Sequence, residues 1–128
     1  MVQTNQVRTL IVNCYRRRAA LLRWVLKKRP DVRVVAAVYD GAEGLAMARQ
    51  LRPDLLLTCI SLKSLSGLEL TSAVKRELPG IKVIIGTVQG DREHEALSAG
   101  ADAFFTYPMI VDEFLMKLDA VLNWRTHD

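Results

Sequence analysis

The feature that most narrows what this chain can fold into is an alternation: five apolar runs, each too short for a helix, are separated by longer segments of helical period. The runs are Thr9-Leu10-Ile11-Val12, Val32 to Val38, Leu55-Leu56-Leu57, Lys82-Val83-Ile84-Ile85 and Ala103-Phe104-Phe105. The spacing predicts helices near 15–28, 42–51, 67–78, 91–99 and 111–123, the last repeating Val111, Phe114, Leu118, Val121 and Leu122 on one face. Pro30, Pro53 and Pro79-Gly80 each fall just past a predicted helix, where a residue that cannot continue the helix belongs. Strand-helix alternation implies a parallel sheet covered on both faces, whose strands read as continuous apolar runs. The predicted fold is therefore α/β, a doubly wound five-stranded parallel sheet.

The chain has 128 residues, half of them apolar and a quarter charged, which predicts one domain over 1–128 with residues 1–6 as a flexible N-terminal segment. A domain of this size buries roughly two-thirds of the surface its unfolded chain exposes, so it folds without a metal or a disulfide. No run approaches the roughly 18 apolar residues of a membrane span, and the polar start has no signal-peptide core. The expected location is the cytoplasm, with no membrane partner. Two cysteines without a CxxC spacing agree with a reducing compartment.

The net charge of +4 is unevenly held. Arg16, Arg17, Arg18, Arg23, Lys27, Lys28 and Arg29 fall in one stretch without an acid, leaving the rest of the chain net acidic. Only this local patch could steer an acidic partner. Direct nucleic-acid binding from this domain alone is not expected, because no base-reading motif accompanies the patch.

In open parallel sheets, ligands sit outside the carboxyl ends of the strands. The residues there are Asn13, Cys14, Cys59, Thr87 and Tyr107. Around them the chain resembles the receiver domain of bacterial two-component response regulators, over nearly its whole length. The Asp40-Gly41 turn, Leu51-Arg52-Pro53-Asp54-Leu55, Ser66-Gly67-Leu68-Glu69-Leu70, Gly100-Ala101-Asp102 and Pro108 resemble receivers attached to LuxR/NarL-type DNA-binding domains. That resemblance implies a flavodoxin-like (βα)5 sheet of order 2-1-3-4-5, and a cis peptide between Tyr107 and Pro108.

The resemblance also implies an active site that these residues do not reproduce. Family receivers place two acids after the first strand to hold magnesium, where this chain has Asn13 and Cys14. The phosphoacceptor aspartate corresponds to Cys59, and the lysine that contacts the phosphoryl group in relatives corresponds to Tyr107. Thr87 matches, and Val88 replaces a small residue beside the pocket. Magnesium requires hard oxygen ligands, and phosphoryl transfer rests on positioning and charge stabilisation. A degenerate pseudo-receiver is expected, without enzymatic activity, metal or cofactor.

Neighbouring first and third strands would set Cys14 and Cys59 in one pocket. They are either apolar filler of a vacated site or a thiol switch. Zinc would lack ligands, since His94 and His127 fall elsewhere.

Two surfaces are candidate interfaces. On the first helix, Leu21, Leu22 and Val25 can face the sheet, leaving Trp24 among Arg17, Lys27 and Lys28 as an anchor for an acidic partner or an ordinary solvated face. On the last, Met109, Ile110 and Val111 form an apolar entry leading to Phe114, where polar capping residues are usual. In relatives this region makes dimer contacts switched by an aromatic that corresponds to Phe104. The expected function is phosphorylation-independent protein-protein interaction in transcriptional or two-component regulation, possible partners including a second copy. The alternatives are a cysteine-based redox sensor, or the receiver part of a DNA-binding response regulator.

Overall fold

The computed structural model describes residues 6–123. The expected flexibility of residues 1–6 thus falls, except for Gln6, outside the described residues, as does His127. Five strands and five helices alternate: β1 Val7–Val12, α1 Arg16–Leu26, β2 Val32–Val38, α2 Gly41–Leu51, β3 Leu55–Thr58, α3 Gly67–Glu77, β4 Lys82–Thr87, α4 Glu93–Ser98, β5 Ala103–Thr106 and α5 Val111–Leu122. All strand pairs are parallel and the order is β2-β1-β3-β4-β5, as expected.

The two-residue side-chain period of each strand divides the core in two. Leu10, Val12, Leu56, Val83, Ile85 and Phe104 pack toward α2, α3 and α4. Val7, Ile11, Leu55, Leu57, Ile84 and Phe105 pack toward α1 and α5. Runs buried on both faces have no polar phase, which is why they are uninterrupted in the sequence.

Local signals fix the helix ends. Asp40 caps α2 by accepting the Glu43 N–H, and Ser66 and Glu69 form a capping box on α3. Gly100 takes φ +113°, a left-handed turn that brings Asp102 back to β4. There its carboxylate accepts the Val83 N–H at 2.8 Å and the Lys75 ammonium at 3.0 Å, tying α3, β4 and β5 together.

Some boundaries differ from the sequence reading. β1 begins two residues earlier, because Val7 is buried and its N–H donates to Asp31 O; the charge on Arg8 hides this in the sequence. The segment 91–99 divides into a 3-10 turn at Gly90–Arg92 and the short α4. α1 stops at Leu26, with Lys27 and Lys28 in the closing turn.

Candidate functional site

The strand order brings the carboxyl ends of β1 and β3 side by side at the register Val12↔Thr58, and the next residues carry the cysteines. Cys14 Sγ donates to Ser61 O at 3.0 Å and Cys59 Sγ to the same oxygen at 3.6 Å, so both thiols converge on the β3–α3 loop. Close packing holds that loop: Gly67 donates to Ile60 O, and a Cβ on Gly67 would stand 1.7 Å from Cys59 O. Asn13 is buried; its Oδ1 accepts the Tyr15 N–H at 2.9 Å, while Nδ2 has no partner among the described residues.

Across the strand ends from the cysteines, Tyr107 N–H donates to Thr87 O at 3.0 Å, joining the ends of β4 and β5. The Thr87 hydroxyl is turned to its own loop, accepting the Gln89 N–H. Val88 stands exposed beside it. The Tyr107–Pro108 peptide is cis, as the resemblance implied.

Arg18 completes the site, and no motif marked it out. Its guanidinium lies 4.6 Å from the ring centroids of both Tyr15 and Tyr107, clasped between two aromatic faces. Its position in a basic run disguised it: Arg16 stacks on Tyr39 and Arg29 pairs with Asp31, so the run fans out in different directions. Burial pushes the Tyr107 phenol up to about 12, opposed by Arg18. Burial also pushes the Cys59 thiol up to about 11, opposed by the Cys14 backbone N–H and by Arg18. Both groups are neutral at physiological pH.

The candidate interfaces are only partly as expected. Trp24 is 58% exposed, with Lys28 Nζ 5.7 Å from its ring. With Arg23, Lys27, Val32 and Val34 it lines a groove against the edge strand β2, whereas Arg17 is exposed outside that groove. Leu22 and Val25 are buried against the sheet, with Leu21 beside them. At the other end, Ile110 is 60% exposed and starts α5 without a side-chain cap. Met109 and Val111 are instead half-buried, packed against the core.

Phe114 is a correction. It is 1% exposed and stacks edge-on against Phe105 at 5.0 Å, because the helical period of α5 turns it with Leu118 and Leu122 to the sheet. It supports the surface from below and cannot itself be a contact. Phe104 is likewise buried, its carbonyl accepting from Lys117 on α5.

A flavodoxin-like sheet with its candidate residues at the carboxyl ends of β1, β3, β4 and β5 has the architecture of a receiver-type signalling domain. Residues 10–119 match the response regulator receiver domain family, and the chain belongs to that family. Response regulator protein VraR of Staphylococcus aureus (strain Mu3) is 35% identical over 81 residues, 62% of this chain and 39% of that protein. The chain thus spans about two-fifths of the length of this curated relative. A LuxR-family two-component response regulator from Aurantimonas sp. superposes with a TM-score of 0.85 at 22% identity, over 92% of this chain and 86% of that one. The response regulator domain of Thermotoga maritima CheB superposes at 0.83 with 26% identity, over 92% and 97%.

Proposed function

We propose that this receiver works by phosphorylation-independent protein contacts, as a cytoplasmic pseudo-receiver in transcriptional or two-component regulation. One observation carries the reading: the positions that resemble the family's acidic pocket hold an amide, two thiols and a phenol, with Arg18 clasped beside them.

These residues do not fit magnesium. That ion takes hard oxygen ligands, mostly carboxylate, in a strict octahedron. Asn13 has one side-chain oxygen, already engaged by Tyr15, and the thiols of Cys14 and Cys59 are soft. Among the described residues no group of three or more His, Cys, Asp or Glu side chains is placed to hold a metal. Without a carboxylate nucleophile or a metal, phosphoryl transfer loses both its acceptor and its charge stabilisation. The signal is then carried by a surface, and the exposed Ile110 beside α4 and α5 is the site proposed for self-association. In a longer protein, of the kind the curated relative represents, the same surface would face an effector domain.

Magnesium with beryllofluoride tests this directly. The amide spectrum of the chain is expected to stay unchanged on addition of both. Saturable shifts around Cys59 and Thr87 would overturn the reading.

A further inference from the structure

The two cysteines carry more than the loss of a phosphorylation site. Both thiol hydrogens point to Ser61 O, so the sulfurs are no farther apart than the sum of those two hydrogen bonds, 3.0 and 3.6 Å. Both cysteines lie past the ends of their strands, Cys14 two residues beyond Val12 and Cys59 directly after Thr58, and their side chains are within hydrogen-bonding reach of each other.

The two thiols are not equivalent. Cys14 is partly open to solvent while Cys59 is 4% exposed. An oxidant therefore meets Cys14 first.

We propose that Cys14 and Cys59 are an oxidisable dithiol, Cys14 facing the oxidant and Cys59 resolving it, which closes an intramolecular disulfide across the carboxyl ends of β1 and β3. The oxidant class is a peroxide. The Cys14 sulfur, as thiolate, attacks one oxygen of hydrogen peroxide, the O–O bond breaks, and the departing hydroxide takes up a proton to leave as water. Cys14 is then a sulfenic acid. The Cys59 sulfur attacks the Cys14 sulfur, the S–O bond breaks, and the hydroxide leaves with the Cys59 proton as a second water. In sum, two thiols and one peroxide give one disulfide and two waters. Closure withdraws both thiol donors from Ser61 O on the β3–α3 loop, and that exposed carbonyl is left to water.

The test treats the full chain with hydrogen peroxide, alkylates it with iodoacetamide, and reads intact mass and non-reduced peptides. Expected is a monomer lighter by two hydrogens, with no alkyl groups and a Cys14–Cys59 linked peptide that dithiothreitol releases. In Cys59→Ser, dimedone should trap a sulfenic acid on Cys14; in Cys14→Ser, Cys59 should survive the same dose unmodified. Cys59→Ala replaces Cys59→Ser if the serine variant loses its native circular dichroism. The proposal is overturned if wild type keeps both thiols alkylatable at a dose that oxidises Cys14 in the variant. It is equally overturned if Cys14 runs on to sulfinic acid or links two chains. Such a failure would leave the phosphorylation-independent reading standing, since magnesium and beryllofluoride test that one separately.

Discussion

The guanidinium of Arg18 sits 4.6 Å from the ring centroid of Tyr107, so a cation on α1 covers the aromatic that follows β5. Cation–π contacts of this kind are worth about 0.5–1 kcal/mol each where partly exposed. Arg18→Ala, which breaks the contacts to both Tyr15 and Tyr107, is expected to lower stability by about 1–2 kcal/mol in urea melts. It should also raise the Tyr107 titration further, read by ultraviolet difference spectra, because Arg18 now holds it down.

Alkaline pH should weaken the fold through two groups. Cys59 and Tyr107 have folded values of about 11 and about 12, above their ordinary values of 9.0 and 10.0. A raised value means the folded state holds its proton more tightly than the unfolded chain. The associated stability is complete below the ordinary value and is lost as pH rises through the folded one. The expected window opens near 9 for Cys59 and closes near 12 for Tyr107, with each group contributing on the order of 2 kcal/mol. Urea melts across that range check it, and in Cys59→Ala the lower part of the loss should vanish.

Gly67 and Gly80 make a matched pair. A Cβ on Gly67 would lie 1.7 Å from Cys59 O, a backbone atom that cannot move without shifting β3. At Gly80 nothing lies within 4 Å. Gly67→Ala is expected to cost about 2–3 kcal/mol, whereas Gly80→Ala should be neutral or stabilising by up to about 1 kcal/mol. Equal melting temperatures for the two variants would contradict the packing described at the β3–α3 loop.

The strands were legible because burial on both faces leaves unbroken apolar runs, and Pro30, Pro53 and Pro79 mark where helices stop; their order came from the family resemblance. The apolar runs located Asn13, Cys14, Cys59, Thr87 and Tyr107 at the carboxyl ends of strands, where the structure has them, and the resemblance added which family residue each one replaces. Arg18 escaped notice because a sequence shows that a helix is basic, not which guanidinium turns inward between two rings. Phe114 was read as surface for the reverse reason. An apolar helix start looks adhesive until the α5 period is referred to the sheet, after which Phe114 falls inside and Ile110 outside.

Cys59 also tests whether the pocket has become dry. Cys59→Ala should cost about 1 kcal/mol, the loss of one small buried group. Cys59→Asp should cost more at neutral pH, because it puts a carboxylate into a buried position. Arg18, whose charge already reaches Cys59, offsets part of that cost. Adding Arg18→Ala to Cys59→Asp should therefore destabilise by more than the two single changes together. Calorimetric melts of the four proteins measure this. Additivity would mean that Arg18 does not act on the pocket.

Self-association should use Ile110 and not Trp24. Both side chains are exposed, at 60% and 58%, but their surroundings differ in physics. Trp24 lies with Arg23 and Lys27, so any contact there depends on charge and should fade as the screening length falls from about 10 Å at 0.1 M salt to about 3 Å at 1 M. Ile110 lies on the cleft between α4 and α5, and Met116, 72% exposed, adds apolar surface on α5. A closed two-fold contact would cover Ile110 in both copies at once, and burial of apolar area is not weakened by salt. Sedimentation of wild type is expected to give a dimer at both salt concentrations, Ile110→Asp a monomer at both, and Trp24→Ala a dimer like wild type. A dimer that survives Ile110→Asp and dissolves at 1 M salt would move the contact to the basic face of α1.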